Sequence, residues 1–514
     1  MSKTIIIIGA GLAGLSAALQ AAENGCNVKL VSSLPSERAQ SVMAEGGINA
    51  ALNTKDENDS PEEHFTDTTK AACGLADPNA VWGMTQAAPE LVHWLLKLGV
   101  KFNMSGYDDV DLRNFGGQKK KRTAFAQSDT GKQIMTAMID AVRRKEASGM
   151  VERFSHHSFL TLRLCDNICC GCVIRDEYSQ RIVELPGDAV IVATGGMHGL
   201  FGNTTGSLSN TGEVTAELFR LGVPLANGEM IQYHPTTVKC GGKRMLISEA
   251  ARGEGGRLFA MKDGKQWYFM EEKYPELGNL MPRDITAREI WKVSHESEVF
   301  LDMTEISDEI ISNKLSGLAD DCMTYLHKDI RKEPVSVLPG IHYFMGGILV
   351  DEQHRTPIQN LYAAGECCAQ YHGANRLGGN SLLGALYGGR VAAKSACEQA
   401  DVVDLSCATQ IDFPPASQIS EIKQLNKVMQ ETMGVVRNEN TLLNGIQTVQ
   451  ALTGNLPLLG MAVLKSALAR KESRGAHWRE DFPKSNDDDY LKTTVARFDG
   501  KQIQISFVPV PERR

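Results

Sequence analysis

The stretch IIIIGAGLAG, residues 5–14, decides how the rest of the chain is organised. Four consecutive β-branched isoleucines that run into glycine are typical of a short strand buried on both faces at the centre of a parallel sheet. Gly9, Gly11 and Gly14 follow with G-x-G-x-x-G spacing. The first glycine permits a tight turn, the second lets a pyrophosphate approach the backbone, and the third lets the next helix pack on the sheet. The stretch therefore predicts a dinucleotide-binding unit.

The segment after the glycines predicts a helix from Leu12 to about Asn24, with Gly25 as its C′ residue. The N-terminus of such a helix offers free N–H groups and a partial positive charge to phosphates. A second strand is predicted at 27–31, and Ser32 follows it. At this position, nicotinamide-binding folds often carry an acid that holds the ribose. The pattern therefore favours a flavin, and the predicted ligands are Gly9, Ala10, Gly11, Ala13, Gly14 and Ser32.

Length and composition restrict the class of protein. A chain of 514 residues is too long for one ordinary core, so two or three domains are expected. The net charge of −8 argues against nucleic acid as a partner, because phosphate binding needs a basic surface. No apolar run has the length of a membrane span, and the first strand begins too early for a signal peptide. These observations predict a globular cytoplasmic protein.

Twelve cysteines in so long a chain do not indicate a disulfide scaffold. Cys169, Cys170 and Cys172 lie close together, so a metal or redox role is one interpretation. The alternative, buried reduced thiols in an apolar stretch, is favoured because no second cluster has metal-ligand spacing.

The stretch RAQSVMAEGG, residues 38–47, resembles the flavoprotein subunits of succinate dehydrogenase and fumarate reductase, of which L-aspartate oxidase is a close relative. In the respiratory members the matching stretch, R-S-H-T-x-x-A-E/Q-G-G, carries a histidine bonded covalently to FAD. Gln40 occupies that position here, and an amide cannot form the link. The resemblance therefore implies non-covalent FAD, a more strongly reducing flavin and a preference for fumarate reduction. The ligands that it implies are Gln40, Ser41, Ala44, Glu45, Gly46 and Gly47.

Further stretches match the family in order and at comparable separations: QYHPT (232–236), SEAARGEGG (248–256), PRD (282–284), HYFMGG (342–347) and HGANRLGGNSL (372–382). The resemblance implies that His234 and Ser248 hold one carboxylate of a small dicarboxylate substrate, and that His342 and Arg376 hold the other. It implies Arg283 as the proton donor, with Glu249 and Arg252 as its relay. The further FAD ligands that the resemblance implies are Glu213, Glu366, Arg376, Ser381 and Leu382.

The residue at position 115, Phe115, distinguishes between the alternative substrates. Aspartate oxidases carry a glutamate at this position, matched to a substrate ammonium group, whereas the dicarboxylate enzymes carry phenylalanine. An apolar ring cannot pair with an ammonium, which disfavours L-aspartate. A reductase of another α,β-unsaturated carboxylate, and a subunit that mainly transfers electrons, stay open as alternatives.

The predicted fold class is α/β, with a Rossmann-like FAD-binding domain, an inserted α+β capping domain and a C-terminal helical domain. Buried strands at 188–196 and 358–366 belong to the flavin sheet, and more than a hundred residues separate them. The expected domains are 1–232 with 342–411 for FAD, 233–341 for the cap, 412–480 for the helices and 481–514 for the tail.

Lesser elements are also predicted. Residues 78–99 form an amphipathic helix, residues 412–469 are helical, and residues 502–510 form an edge strand. The basic run 119–122 and the acidic run 487–489 are expected to be solvated. The expected core positions of the helix at 78–99 are Val81, Trp82, Leu91, Trp94 and Leu95. In the later helical region a partial 3.6-residue spacing is given by Leu425, Met429, Met433, Leu442, Leu443 and Ile446.

The resemblance also bears on partners. Respiratory relatives dock on an iron–sulfur subunit, which docks on a membrane anchor. An iron–sulfur electron-transfer subunit is therefore a candidate partner, which would place the chain at the inner face of the membrane without a span of its own. A soluble electron donor is the alternative.

Overall fold

The structure is a computed structural model, and it describes residues 2–401, 411, 413 and 418–514. The strands, β1 to β23 in chain order, are Thr4–Ile8, Asn27–Ser32, Ile48–Asn49, Leu112–Arg113, Thr123–Ala124, Val151–Ser155, His157–Cys165, Ile168–Asp176, Ile182–Pro186, Ala189–Val192, Leu225–Ala226, Ile231–Cys240, Lys243–Leu246, Arg257–Lys262, Lys265–Trp267, Val299–Asp302, Val335–Ser336, Leu338–Phe344, Gly347–Leu349, Leu361–Ala363, Cys368–Ala369, Lys492–Phe498 and Ile503–Pro509.

The helices, α1 to α15, are Leu12–Glu23, Pro61–Ala71, Pro78–Lys97, Thr130–Ala147, Glu213–Arg220, Glu249–Gly253, Phe269–Lys273, Arg283–Val293, Asp308–Lys314, Ser316–Asp321, Asn380–Gln399, Ile419–Thr432, Glu439–Val449, Asn455–Ala469 and Asp487–Tyr490.

The isoleucine strand β1 lies at the centre of a five-stranded parallel sheet with the order β20-β10-β1-β2-β6. Ile5 pairs with Ala189 on one side and with Val28 on the other. Isoleucines 5–8 are buried, as a strand covered on both faces requires. The predicted central strand is confirmed.

Helix α1 follows the glycine motif and packs along α11, where the Ser16 hydroxyl donates to the carbonyl of Leu386 at 2.7 Å. Gly25 follows the helix with a φ of +79°, as predicted for a C′ residue. A Cβ on Gly14 would collide with the carbonyl oxygen of Gly9. The third glycine of the motif therefore sets the distance between α1 and the sheet.

A long insertion leaves the nucleotide-binding region on β12 and returns on β18, and these two strands pair antiparallel. Between them, a four-stranded antiparallel sheet of the order β15-β14-β16-β17 and several helices share a separate hydrophobic core that includes Leu258, Ile290 and Leu301. This mixed α/β content agrees with the predicted class. The domain boundaries themselves stay a prediction.

The predicted helical region is present as α12, α13 and α14, although residues 412 and 414–417 lie outside the described residues. Of the residues that follow the partial 3.6-residue spacing, Leu425, Met429, Met433 and Leu442 are buried together. Leu443 is 47% exposed on the outer face of α13. Strand β23 forms the edge of the sheet β21-β19-β11-β22-β23, which confirms the predicted edge strand.

Two expectations about solvation and burial need correction. Arg122, at the end of the basic run, is fully buried because its guanidinium pairs with Asp59 and Asp67 at 2.8 and 2.9 Å. Trp94 on α3 packs against the core as predicted, although it is only partly buried and Arg390 lies over its ring. Trp82 is also only partly buried, and its ring contacts Phe65 and Arg513. The acidic run 487–489 is exposed as expected, but it forms the short helix α15.

The three clustered cysteines lie on β8 as free, buried thiols, and burial raises the pKa of the Cys169 thiol to about 12. The favoured interpretation is confirmed for these three. Cys165, at the end of β7, is by contrast disulfide-bonded. In the described part of the chain, no helix combines the length and apolar character needed to cross a bilayer.

Candidate active site

One cavity of about 1260 Å³ extends from the carboxyl ends of β1 and β2 to the insertion. Ordinary ligand pockets have volumes of about 300–1,000 Å³, so this cavity has room for a large cofactor together with a small substrate. The predicted site residues that line it are Gly9, Ala10, Gly11, Ala13, Ser32, Gln40, Ser41, Ala44, Glu45, Gly46, Gly47, Phe115, Glu213, His234, Ser248, Glu249, Arg283, His342, Glu366, Arg376, Ser381 and Leu382. Gly14 and Arg252 lie behind its wall.

The nucleotide end of the cavity has the features that a dinucleotide requires. The N-termini of α1 and α11 both face the cavity, through Gly11 and Ser381, and each can present backbone N–H groups to phosphate. The buried Ser32 hydroxyl has no hydrogen-bond partner among the described residues. A buried polar atom without a partner is costly, so it points to a missing ligand group such as a ribose hydroxyl. The residues present therefore fit a dinucleotide.

Arg113 fixes the loop that carries Glu45 by hydrogen bonds to two backbone carbonyls. Arg113 Nε donates to the carbonyl of Gly46 at 3.0 Å, and its NH2 group donates to the carbonyl of Glu45 at 3.0 Å. Burial, together with the nearby Asp321, raises the pKa of Glu45 to about 8. Its carboxyl therefore lines the cavity with a raised affinity for a proton.

Two further acids line the cavity. Glu366 follows β20, and its Oε1 accepts a hydrogen bond from the backbone N–H of Phe344 at 3.1 Å. Glu213 is the first residue of α5, and burial raises the pKa of its carboxyl. Glu366 therefore connects the nucleotide-binding sheet to the returning strand of the insertion.

At the insertion end, Arg283 is the first residue of α8 and its side chain is buried. Arg283 Nε donates to Glu249 Oε2 at 2.8 Å, and its NH1 group donates to Gln232 Oε1 at 3.1 Å. The Ser248 side chain caps the neighbouring helix α6, where it accepts a hydrogen bond from the Ala250 N–H at 3.4 Å. This places the serine hydroxyl, Glu249 and Arg283 on one wall.

Glu249 is a buried carboxylate between two arginines. Burial alone would raise its pKa, but Arg283 and Arg252 outweigh burial and lower the pKa below the usual range. Arg252 NH2 lies 3.4 Å from Glu249 Oε1, and its NH1 group donates to the carbonyl of Asn279 at 2.7 Å. The three side chains form a continuous charged row that begins at the cavity and ends behind it.

Two histidines and a second arginine also line the insertion end of the cavity. The ring centroids of His234 and His342 are 5.1 Å apart, and His342 Nδ1 is 2.8 Å from the Thr205 hydroxyl. Burial, with Arg283 nearby, lowers the pKa of both imidazoles well below the usual value. Arg376 lies over the ring of Tyr343 at 4.3 Å, and burial together with Arg283 lowers its pKa to about 9. Two cationic groups and two neutral imidazoles thus surround one small volume.

Phe115 closes this volume with an apolar surface. Its side chain is 1% exposed, and a Cβ on Gly46 or Gly378 would lie 3.0 Å from the ring. Both glycines therefore allow the ring to fit against the cavity wall.

Sequence reasoning missed three residues of the site. Gln232 bonds Arg283 and also donates to the carbonyl of Arg376 at 2.8 Å, so it joins the two arginines. Tyr343 supports the Arg376 guanidinium, and Thr205 fixes the His342 ring. Gln232 and Tyr343 lie within matched stretches, but Thr205 has no sequence signal because its partner is 137 residues away.

Replacing Gln232 with leucine is expected to lower kcat by about 10- to 100-fold, because hydrogen bonds to charged groups contribute about 1.5–3 kcal/mol. Steady-state kinetics on the purified holoprotein would measure the change. Gln266→Leu, on the exposed strand β15, is the matched control and should leave kcat unaltered. An unaltered kcat in Gln232→Leu would show that Arg283 is positioned without this residue.

Comparisons with known proteins agree with this geometry. A family model described as an FAD binding domain matches residues 4–382, and one described as the fumarate reductase flavoprotein C-term matches residues 452–513. The succinate dehydrogenase flavoprotein subunit of Bacillus subtilis is 38% identical, and the match covers 100% of this chain and 98% of the relative. The 8-methylmenaquinol:fumarate reductase flavoprotein subunit of Wolinella succinogenes is 32% identical, with coverage of 100% and 92%.

A solved structure supports the same relationship. A variant of the quinol fumarate reductase FrdA of E. coli superposes with a TM-score of 0.90 at 27% identity, covering 99% of this chain and 97% of that one. The resemblance inferred from the motifs is thereby confirmed. The chain belongs to the FAD-binding flavoprotein family of the succinate dehydrogenases and fumarate reductases, and it is an oxidoreductase.

Proposed function

We propose that the protein is the flavoprotein of a fumarate reductase, which interconverts fumarate and succinate and favours reduction of fumarate. The observation that carries this proposal is the pairing of His234 and Arg283 with His342 and Arg376 around one small apolar-walled volume. Such an arrangement suits a short diacid with a carboxylate at each end. Glu249 is already paired with Arg283, and Phe115 offers no charge, so an amino acid substrate is less well matched.

Each carboxylate has its own set of donors in this proposal. His234 and the Ser248 hydroxyl hold one, and His342 and Arg376 hold the other. Fixing both ends orients the double bond and draws electron density toward the carboxylate beside the cationic Arg376. FAD, when bound and reduced by an external electron donor, would supply the hydride that adds to one carbon of the alkene.

Arg283 donates the proton to the second carbon. A guanidinium is an unusual acid, so its proton must be replaced at once. Arg283 and Arg252 keep Glu249 ionised, so Glu249 acts as a relay that accepts a proton from Arg252 and passes it to Arg283. Water replaces the proton of Arg252. The product then carries one added hydride and one added proton, which balances the reduction of the alkene to a saturated diacid.

Steady-state assays test the proposed reaction. With reduced viologen as donor, we expect fumarate reduction to be faster than succinate oxidation with an acceptor dye. A panel of C4 dicarboxylates, L-aspartate and larger enoates would identify the substrate. Oxidation of L-aspartate, or a preferred larger enoate, would favour the two alternative enzymes of the same fold. Absence of turnover with every compound would favour a subunit that only transfers electrons.

Non-covalent FAD is a prediction that rests on Gln40. The side chain lines the cavity, and an amide forms no bond to the flavin ring. Precipitation of the holoprotein with trichloroacetic acid is expected to release all the flavin into the supernatant. Flavin that stays in the protein pellet would contradict the prediction.

Binding of a dicarboxylate is expected to take up protons. Burial and Arg283 keep His234 and His342 neutral at pH 7, because they lower both pKa values well below 6.5. A bound dianion raises the pKa of an adjacent imidazole, so the complex holds protons that the free protein does not. The affinity for the dicarboxylate should therefore rise as the pH falls toward the pKa of these imidazoles in the free protein. It should decrease as the pH rises through their pKa in the complex.

Titration calorimetry with malonate checks this expectation. Runs at pH 7 in two buffers with different enthalpies of ionisation should give different observed enthalpies. Identical enthalpies in both buffers would show that no proton accompanies the ligand.

We further propose an iron–sulfur subunit as the electron-transfer partner, which would place the chain at the inner face of a membrane. The support is that the B. subtilis and W. succinogenes relatives are themselves described as subunits. Co-purification from native extract, with the iron content of the complex measured, tests this partner against a soluble donor.

A further inference from the structure

Cys26 and Cys397 lie together at one end of the helix pair formed by α1 and α11. Cys26 follows Gly25, directly after α1, and Cys397 lies in the last turn of α11. Their sulfur atoms are 2.9 Å apart, although 371 residues separate them in the sequence. Non-bonded heavy atoms pack best at about 3.5–4.0 Å, so this is a very close contact between two free thiols.

The surroundings of the pair differ on its two sides. Cys26 is buried, whereas Cys397 is only partly buried. The Lys3 ammonium donates to the carbonyl of Cys397 at 2.8 Å and holds this turn in place. Burial, with the Cys26 thiol beside it, raises the pKa of the Cys397 thiol. Near neutral pH the Cys397 sulfur is therefore mainly a thiol, so its reaction with an oxidant should become faster as the pH rises.

We propose that Cys26 and Cys397 form a reversible disulfide when the protein meets a low-molecular-weight disulfide oxidant. The sulfur of Cys397 attacks the oxidant, forms a mixed disulfide and releases one thiol. The sulfur of Cys26 then attacks that of Cys397 and releases the second thiol. The two cysteines lose two electrons and two protons, and the oxidant gains them as two thiols.

The geometry permits this step with little movement. A disulfide has an S–S bond of about 2.05 Å, so the two sulfurs must approach by less than about 1 Å.

The bond would clamp the two helices that line the nucleotide end of the cavity. Gly11 and Leu12 at the start of α1, and Ser381 and Leu382 at the start of α11, all line it. A cross-link between residues so far apart in the chain restricts the unfolded state strongly. The oxidised protein should therefore unfold at a higher temperature and lose FAD more slowly than the reduced protein.

The test uses the full-length holoprotein, incubated with oxidised glutathione or with dithiothreitol. Mass spectrometry after alkylation and non-reducing proteolysis should find one linked peptide pair that contains both cysteines, about 2 Da lighter than the sum of the two thiol peptides. The unfolding temperature should rise with oxidation and return with dithiothreitol. Cys26→Ser and Cys397→Ser should lose both effects, whereas Cys73→Ser, which replaces another partly buried thiol, should keep them.

Two results would overturn the proposed disulfide. One is alkylation of both cysteines as free thiols at saturating oxidant, and the other is a glutathione adduct on Cys397 that Cys26 never displaces. A linked peptide pair without any rise in the unfolding temperature would overturn the clamping role.

Discussion

Arg283→Ala is expected to reduce fumarate turnover by at least about 10³-fold while FAD stays bound. The guanidinium is the group proposed to protonate the substrate, and it lies with Glu249 at the insertion end of the cavity, away from the nucleotide-binding glycines. Removing it takes away the acid and leaves Glu249 without its closest cation. Rates from stopped-flow or steady-state assays, with flavin content from absorbance, would measure both parts of the expectation.

Arg257→Ala is the matched control for this variant. Arg257 lies on β14 of the same insertion, pairs with Glu271 at 2.8 Å and is partly exposed. Its loss should leave turnover within a few-fold of the original. Substantial turnover in Arg283→Ala would remove this residue from the mechanism, and loss of FAD in that variant would show a structural role instead.

Arg470→Ala is expected to lower the free energy of unfolding by about 3–5 kcal/mol, because it leaves buried carboxylates unpaired. Arg470 is fully buried and lies 2.7 Å from both Glu229 and Glu472. It also donates to the Thr494 hydroxyl at 2.7 Å, so it connects the segment after α14 to β22. Urea unfolding followed by circular dichroism would measure the loss.

Arg143→Ala is the comparison for a surface arginine. Arg143 contacts Glu37 on the surface, and both side chains are at least half exposed. Exposed ion pairs contribute at most about 1 kcal/mol, so this variant should unfold almost like the original protein. Equal unfolding midpoints for the two variants would mean that the buried network around Arg470 contributes little.

The parts of the fold that follow from local pattern were predictable from the sequence. The isoleucine run defined the central strand, and Gly14 has the close-packing role that the glycine spacing assigns to it. The motif order also indicated which side chains meet. Phe115, His234 and Arg376 line one cavity although 261 residues separate the first from the last.

The parts that depend on distant side-chain partners were not predictable. Arg122 belongs to a basic run that looks solvated, yet Asp59 and Asp67 draw it into the interior. Gln232 is the first residue of a recognised stretch. Its role depends on hydrogen bonds with Arg283 and with the carbonyl of Arg376, and only the fold places these groups within reach. Exposure of Leu443 depends on how α13 is rotated against its neighbours, which spacing alone does not define.

The strands β12 and β18 enter and leave the insertion as a pair, and each carries one of the two histidines. This has a consequence for protein engineering. A chimera with junctions just before Ile231 and just after Phe344 would exchange His234, Ser248, Arg283 and His342 as one cassette. Of the residues proposed to contact the substrate, Arg376 and Phe115 would come from the host fold, so a transplanted cassette should carry much of its parent's selectivity with it.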